Sequence, residues 1–445
     1  MNSTYFPHFT IGSDAYDKIP DICGEYGKTA VIIGGTKARI AAEPLIRKAV
    51  SGKIDITGSF LYGDDATFEN AEALTKIPEI QEADMIFAVG GGRATDTCKW
   101  AAHLLKKPIF TFPTLASNCA SVTAVCIMYN PDHSFKGSIY RERGAWHTFI
   151  NTEIIAHSPR QYFWAGLGDA LAKQYEVPFS ARGMDLTWIQ QTGVNNAQNV
   201  APGILKYGKE ALADVDKGIV TDALEAATLS IIVAPGMASV CIEDDLDSSL
   251  AHAIYNSHTR TPHKGQHLHG AVVNYGLQVM LTMDGQIEER DKIYNFAKSI
   301  NLPHCLEDIG IDPKHPDELV ENCLHTKDMR VKPYDITFDM VYKAMMDVEN
   351  ARPLSVRLHL CQRQRPKSSD GQGPRLRGEL EGGIQEQHRP ASVWGCGNRQ
   401  VLFRRLYRQR PAGPGCAGAD DELSHHPEPP DRDVFRGQGR LYRQL

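Results

Sequence analysis

The sequence predicts an α/β amino-terminal domain of nucleotide-binding type, followed by an all-α domain. Up to residue 157, short runs rich in β-branched and aromatic residues alternate with helical patterns. These runs are apolar throughout, which is typical of a parallel sheet covered by helices on both faces. After Ser158 and Pro159 such runs disappear, and the pattern is helical to about Ala351. We therefore expect one domain at 1–157 and a second at 158–351.

The elements of the first domain follow in order along the chain. Strands are predicted at KTAVIIGG, KIDITGSFLYG, DMIFAVGGG and PIFTFPT, with helices between them at KARIAAEPLIRKAV, ATFENAEALTKIPEI and TDTCKWAAHLLKK. Gly90, Gly91 and Gly92 lie where the third of these strands passes into a helix. Glycines let the backbone approach a pyrophosphate closely, and a helix N-terminus offers N–H donors. This turn therefore predicts phosphate binding, with a purely structural tight turn as the alternative.

Two further loops bear on the cofactor. The turn after the first strand, from Gly34 to Arg39, contains no carboxylate of the kind that normally holds the adenosine ribose of NAD. Lys37 and Arg39 instead favour a 2′-phosphate, so we expect NADP(H) in preference to NAD(H), unless both are simply solvated surface charges. The hydroxyl-rich loop FPTLASNCASVTA follows the fourth strand, at the edge where such sheets hold their ligands.

The helical domain contains an unusual concentration of histidine. The segment from Leu250 to Gly270 reads as two helices joined by a polar loop, and each helix can offer one imidazole. A carboxylate, Asp169, begins the apolar helix in AGLGDALAKQYE. Two imidazoles, one carboxylate and an open position suit a catalytic Zn²⁺ or Fe²⁺. Ordinary core or surface histidines are the alternative on spacing alone. The five histidines of the segment are His252, His258, His263, His267 and His269.

Composition narrows the class of protein. A net charge of -6 gives no reason to expect a nucleic-acid partner. The 10 cysteines include no CxxC pair, which favours reduced thiols in the cytoplasm. The amino terminus lacks a signal peptide's pattern, and the longest uncharged run, 226–242, is shorter than a membrane span. We expect a small-molecule substrate and a homo-oligomer of undetermined size.

At Arg352 the composition changes abruptly. Residues 1–351 contain 21 Lys and 10 Arg, whereas 352–445 contain 1 Lys and 16 Arg. This tail is also rich in Gly, Pro and Gln, without a helical or strand period. Either it is a disordered appendage or it is translated in a shifted reading frame, and the swing in basic residues favours the second. We assign it no function.

With these stretches in order, the chain resembles the iron-containing alcohol dehydrogenase superfamily, in its glycerol dehydrogenase-like branch and most closely the hydroxycarboxylate dehydrogenase type. GGGRATDTCK, FPTLASNCASVT, GLGDALAKQYE and LAHAIYN…LHGAVVNYG carry this resemblance, which covers about Tyr5 to Ala351. It implies the dehydroquinate synthase-like fold, in which a Rossmann-like domain and a helical domain enclose a cleft. It also implies Asp169, His252 and His269 as metal ligands. The residues expected along the cofactor are Gly34, Lys37, Gly90, Gly91, Gly92, Asp96, Thr114, Ser117 and Thr123.

Departures from the family pattern bear on the substrate. Polyol-oxidising relatives continue the hydroxyl-rich loop with Thr-Asp, where this chain has Asn118 and Cys119. Lys173 lies one helical turn after Asp169, where alcohol dehydrogenases of the superfamily often have a further His. We expect Lys173 and Cys119 to contact the substrate, with Lys173 binding the substrate's carboxylate. An i,i+4 ion pair with Asp169 would equally explain that lysine. Tyr255 and His258 are the candidates for moving the proton.

The predicted enzyme is thus a metal-dependent NAD(P)(H) oxidoreductase that reduces small 2-oxo acids to 2-hydroxy acids. Three alternatives stay open. The substrate could be glycerol or another polyol. The scaffold could serve a lyase or cyclising enzyme, but the chain lacks the cluster of phosphate-binding cations that such enzymes need. The chain could also be an inactive product whose carboxyl terminus disrupts the helical domain.

Overall fold

A six-stranded parallel sheet forms the centre of the amino-terminal part, with the strand order β1-β8-β5-β4-β2-β3. The computed structural model describes residues 4–242 and 244–350, so the predicted tail at 352–445 lies outside the described residues. The strands of this sheet are β1 (Phe9–Gly12), β2 (Thr29–Gly34), β3 (Asp55–Leu61), β4 (Met85–Gly90), β5 (Ile109–Pro113) and β8 (His147–Asn151).

Helices cover both faces of the sheet, which explains why its central strands are apolar at almost every position. In β2, Ile32 packs into the cluster formed with α1 and α2, whereas Val31 and Ile33 pack against α3, α4 and α5. Alternate side chains of a strand point to opposite faces, so a strand buried on both sides needs apolar residues throughout. The helices of this part are α1 (Ile19–Cys23), α2 (Thr36–Val50), α3 (Phe68–Leu74), α4 (Pro78–Glu82) and α5 (Gly92–Leu105).

The predicted fold class is confirmed, but individual elements differ, and β1 and β8 of the main sheet were not predicted. The helix predicted at 66–80 is broken into α3 and α4, because Pro78 begins a new helix and the residue before a proline is pushed out of the helical region. An antiparallel hairpin, β6 (Val125–Tyr129) and β7 (Phe135–Tyr140), lies outside the main sheet and was not predicted.

From residue 152 onward the described elements are helical, and the predicted boundary at 157–158 falls between α6 and α7. Among the described residues no single helix is long and apolar enough to span a membrane. Trp188–Lys217 and Asp222–Ser239 meet those criteria only as a pair bent by 110°. The helices are α6 (Thr152–Ala156), α7 (Arg160–Ser180), α8 (Trp188–Ala197), α9 (Val200–Lys217), α10 (Asp222–Ser239), α11 (Asp244–Asp247), α12 (Leu250–His258), α13 (His269–Met283), α14 (Ile287–Ser299), α15 (Asp317–Leu324) and α16 (Phe338–Glu349).

Candidate metal and cofactor site

Three side chains from three helices meet in the helical part. The Nε2 atom of His269 lies 2.9 Å from Oδ1 of Asp169, and Nε2 of His252 lies 3.6 Å from the same oxygen. One donor atom from each of the three lies within 4.8 Å of the others. Metal–nitrogen and metal–oxygen bonds are about 2.0–2.2 Å long, so small shifts would let one ion reach all three donors. The donor set therefore fits a divalent ion with an open position.

Glycines bring these helices together. A β-carbon on Gly270 would lie 2.0 Å from the carbonyl oxygen of Ala165, and one on Gly168 would lie 2.4 Å from that of Gly270. Real side chains do not tolerate such distances, so α7 and α13 approach closely only because both positions are glycine. Asp169 follows one of these glycines and His269 precedes the other, which places carboxylate and imidazole side by side.

A second carboxylate, Glu176, holds His252 from the opposite side. Glu176 is fully buried, and its Oε2 pairs with Nδ1 of His252 at 2.5 Å. Its Oε1 accepts the backbone N–H groups of Ser249 and His252, at 2.8 and 3.0 Å. With Nδ1 engaged in this way, the free Nε2 of the ring faces Asp169.

These charges shift the titration of the cluster. Burial alone would raise the pKa of Asp169, but the His269 and His252 rings outweigh burial and hold that pKa well below its usual range. Burial alone would lower the pKa of His252, yet the Glu176 and Asp169 carboxylates raise it to about 10. Without an ion, His252 is therefore an imidazolium, and a divalent ion must displace its proton to bind.

Lys173 does not pair with Asp169. Its Nζ lies 2.6 Å from Oδ1 of Asp247 and donates to the carbonyl oxygen of the same residue at 2.7 Å. Burial alone would lower the pKa of Lys173, but the Asp247 carboxylate raises it, so the amine is cationic. Burial raises the pKa of the neighbouring Cys119 thiol to about 12, which leaves it neutral. Lys173 therefore contributes a positive charge that is paired with Asp247, and Cys119 contributes a neutral thiol.

The two proton-transfer candidates lie in different places. The Tyr255 ring packs edge-on against the His269 ring, with centroids 4.2 Å apart. His258 instead pairs through Nε2 with the carbonyl oxygen of Ile309 at 2.7 Å and packs against His263. Six residues on an α-helix turn the chain by about 600°, so His258 and His252 face different sides of α12. The structure brings Tyr255 to the donor set, but it does not bring His258 there.

The three glycines lie at the carboxyl edge of the sheet, where β4 ends and α5 begins. Gly90 has φ +150°, a backbone conformation that favours glycine, and a β-carbon on Gly92 would lie 2.9 Å from the Asn118 side chain. Thr114 and Ser117 belong to the loop that packs against this turn, and the Thr114 N–H donates to the Gly90 carbonyl oxygen at 3.4 Å.

The Asp96 carboxylate and the Thr123 carbonyl group are bound within the protein, whereas the buried Thr123 hydroxyl has no hydrogen-bond partner among the described residues. Asp96 Oδ1 lies 2.8 Å from Nζ of the fully buried Lys99, and its Oδ2 accepts the N–H of Ile127 at 3.1 Å. Lys99 also donates to the carbonyl oxygens of Ala120 and Thr123, at 2.8 and 3.2 Å. The pair thus fixes the segment from Ala120 to Ile127.

The residues predicted to contact the adenosine end of the cofactor differ in their exposure and in their hydrogen-bond partners. Gly34 is buried and Lys37 is exposed. Arg39 donates from Nη1 to Oγ of Ser59 at 2.9 Å, and that hydroxyl donates to Oε2 of Glu43 at 2.6 Å. A carboxylate is therefore present one helical turn beyond the predicted cation pair, although the turn itself has none.

Comparison with known proteins identifies the class of enzyme. Residues 7–145 match the family model described as iron-containing alcohol dehydrogenase. The amino-terminal part of the chain is thus similar to the iron-containing alcohol dehydrogenases. The chain is similar to the glycerol dehydrogenase of Thermotoga maritima, with 26% identity over 363 residues, 78% of this chain and 96% of the relative. It is 28% identical to hydroxycarboxylate dehydrogenase A of Escherichia coli over 274 residues, covering 60% and 76% of the two chains.

The fold of the chain agrees with solved structures. The crystal structure of glycerol dehydrogenase from Schizosaccharomyces pombe superimposes with a TM-score of 0.69 at 21% identity, covering 82% of this chain and 95% of that one. The resemblance stated from the motifs is confirmed, and the chain is a dehydrogenase that acts on CH–OH groups. Members of the family typically bind NAD(P) and a divalent metal.

Sequence reasoning missed three residues of this dehydrogenase's site: Glu176, Asp247 and Glu43. Helical periodicity could have predicted Glu176, because it lies seven residues after Asp169 and two full turns bring it to the same face of α7. Asp247 and Glu43 had no comparable signal. Their partners, Lys173 and Ser59, come from elements distant in sequence, and only the fold brings them together.

Proposed function

We propose that this dehydrogenase reduces small 2-oxo acids to 2-hydroxy acids with NAD(P)H, and that Asp169, His252 and His269 hold its divalent metal, Zn²⁺ or Fe²⁺. The meeting of these three side chains carries the proposal. A bound divalent ion supplies a Lewis acid for the substrate's C–O group. The chain's own residues supply the ligands, the orientation of the reactants and the route of the proton.

The cofactor is proposed to lie along the carboxyl edge of the sheet. The N-terminus of α5, opened by Gly91 and Gly92, offers backbone N–H groups and a positive dipole end to the pyrophosphate. Arg39 and Lys37 favour NADPH through charge-assisted hydrogen bonds to a 2′-phosphate. Glu43 weakens this preference, because its carboxylate accepts a hydrogen bond from the Ser59 hydroxyl that Arg39 contacts, and so brings a negative charge close to that arginine.

An anionic substrate is supported by the charges near the metal cluster. Cys119 is a half-buried neutral thiol, where polyol-oxidising relatives place a carboxylate. Lys173 is cationic, but Asp247 shares its charge, so a substrate carboxylate would compete with that ion pair. Tyr255, packed against His269, is placed to hold or pass the proton at its hydroxyl group.

A substrate and cofactor panel on metal-reconstituted protein tests the proposal. We expect 2-oxobutanoate reduction to exceed glycerol oxidation in kcat/KM, with NADPH preferred to NADH. Lys173→Met should raise KM for 2-oxobutanoate about tenfold or more, since a charged hydrogen bond contributes about 1.5–3 kcal/mol. An unchanged KM would remove Lys173 from the substrate site.

Oxidation of glycerol or a related polyol is the second candidate, favoured by relatives named glycerol dehydrogenase. Faster oxidation of glycerol than of 2-hydroxybutyrate would establish it in place of the first. An inactive product with a disrupted carboxyl terminus predicts no turnover with either substrate and no protease-resistant core ending near residue 351.

A cytoplasmic, homo-oligomeric enzyme is also proposed. The seven cysteines at described positions are free thiols, which supports a reducing compartment. Sedimentation of the full chain tests the oligomer, and a purely monomeric species would contradict it.

A further inference from the structure

Glu176 occupies a position that the metal cluster alone does not explain. It lies on α7, two turns after Asp169, and its side chain is fully buried. Three N–H donors converge on its two oxygens: Nδ1 of His252 at 2.5 Å, and the backbone nitrogens of Ser249 and His252 at 2.8 and 3.0 Å. An ionised carboxylate only accepts hydrogen bonds, so all three groups must act as donors.

Resting on the proposed metal site, we propose that Glu176 is a positioning residue that fixes the tautomer of His252 for metal binding. A neutral imidazole carries its proton on one nitrogen and a lone pair on the other. Because the Glu176 carboxylate requires the proton on Nδ1, the lone pair is directed to Nε2, the atom that faces Asp169. Metal-bound imidazoles in general donate their second N–H to such a partner.

The same carboxylate secures the start of the helix that carries the ring. Ser249 is the N-cap of α12, but its side chain makes no capping hydrogen bond. The first N–H groups of a helix have no partner within the helix, and a negative charge at that end is stabilising. Glu176 supplies both the acceptor and the charge from a neighbouring helix. The rotation of α12 and the orientation of the His252 ring are therefore fixed by one group.

Charge balance supports this role. With both imidazoles neutral, Asp169 and Glu176 bring two negative charges to the cluster. A divalent ion neutralises both. Without Glu176, the ion would leave a net positive charge in a partly buried site. Glu176 thus offsets part of the charge of a bound divalent ion, as it offsets the charge of the imidazolium when no ion is bound.

Glu176→Gln in the full-length chain separates positioning from simple packing. A glutamine has nearly the same shape but offers one oxygen and one NH₂ group, so it cannot accept all three hydrogen bonds. If the amide oxygen accepts the two backbone N–H groups, the NH₂ group donates to Nδ1 of His252, and the imidazole proton must move to Nε2. With its oxygen on Nδ1, the start of α12 loses its acceptor. We expect zinc affinity, measured by competition with a chromogenic chelator, to fall about 10–100-fold.

Asp214→Asn is the matched control. Asp214 is also a buried carboxylate of the helical part, but it accepts from the Thr221 hydroxyl at 2.5 Å, where α9 joins α10. We expect this variant to lose stability and keep its zinc affinity within about twofold. Affinity for NAD(P)H, measured by fluorescence, should be unchanged in both variants. A folded Glu176→Gln protein that binds zinc like the wild type would overturn the inference.

A measurement on the wild type covers the case in which Glu176→Gln does not fold. In zinc-loaded protein labelled with ¹⁵N-histidine, we expect the His252 resonance, assigned by its absence from His252→Gln, to show a protonated Nδ1. A protonated Nε2 would overturn the positioning role and leave the proposed dehydrogenase function untouched. A wild-type chain that binds neither zinc nor iron would overturn both.

Discussion

Replacement of Gly270 by alanine tests whether the close packing of α7 and α13 creates the metal site. The added β-carbon would lie 2.0 Å from the Ala165 carbonyl oxygen and 2.8 Å from the Asp169 β-carbon. Ordinary contact begins at 3.4 Å, so the two helices would have to separate by about 1.4 Å. Overpacking of this kind costs about 1–3 kcal/mol, and the rigid backbone on both sides places this variant at the upper end.

The displacement also acts on the ligands. Asp169 and His269 now lie 2.9 Å apart, and a shift above 1 Å would leave one of them out of reach of a shared ion. We expect Gly270→Ala to weaken zinc binding at least tenfold and to reduce kcat/KM by about 100-fold, the effect of a 1 Å misplacement of reacting groups.

Urea denaturation, chelator competition and turnover on the same preparation give the three quantities. Gly137→Ala is the control, because a β-carbon there meets nothing within 4 Å and φ is not positive. We expect Gly137→Ala to match the wild type in zinc affinity and turnover. If Gly270→Ala kept wild-type stability and zinc affinity, the reasoning from helix separation would be wrong.

Three further variants address other parts of the site. Asp169→Asn removes the anionic ligand, so bound zinc, measured by elemental analysis after dialysis, should fall from one ion per chain to near zero. Burial and the nearby His263 and His267 rings lower the pKa of His258 to about 4 from 6.5. As the pH falls, His258 is therefore protonated in the unfolded chain before it is protonated in the folded one. The folded state loses stability between about pH 6.5 and pH 4 for this reason. His258→Gln should reduce that loss by about 1–2 kcal/mol after allowance for water near the exposed His263, as urea denaturation between pH 5 and 7.5 would show. Arg39→Ala should lower the ratio of kcat/KM for NADPH to that for NADH about tenfold, by removing a charge-assisted hydrogen bond.

Each of these expectations has a contrary result. Full zinc occupancy in Asp169→Asn would exclude that carboxylate as a ligand. An unchanged pH dependence of unfolding in His258→Gln would show that another group carries the acid sensitivity. An unchanged cofactor ratio in Arg39→Ala would leave that arginine bound to Ser59 without a role towards the 2′-phosphate.

The parts of the fold that the sequence predicted are those with a local signal. Strands β2, β4 and β5 were found because burial on both faces makes almost every position apolar. The glycine turn at Gly90 was found because three consecutive glycines have few other uses between a strand and a helix. The hairpin of β6 and β7 was missed, since its residues are only partly buried and its pattern is correspondingly weak.

The sequence predicted the side chains that can bind a metal ion, but not the residues that hold the side chains of the site in place. Asp169, His252 and His269 lie within recognisable motifs, and the structure brings them together. His258 shares a helix with His252 but faces another side of it, a distinction that helical periodicity could have drawn. Lys173 was predicted to contact the substrate, which stays a prediction, and its partner Asp247 is 74 residues away, so that no local pattern connects the two.

The buried Lys99 has a consequence for how this enzyme selects its reactants. Its ammonium group ties three carbonyl oxygens of one loop to the carboxylate of Asp96, far from solvent. This loop, which we propose borders the cofactor, is consequently preorganised, so that little ordering entropy would be lost there when a ligand binds. On that proposal, the loop would select ligands by its fixed shape, and a wider range of accepted compounds would require new side chains rather than a more flexible loop.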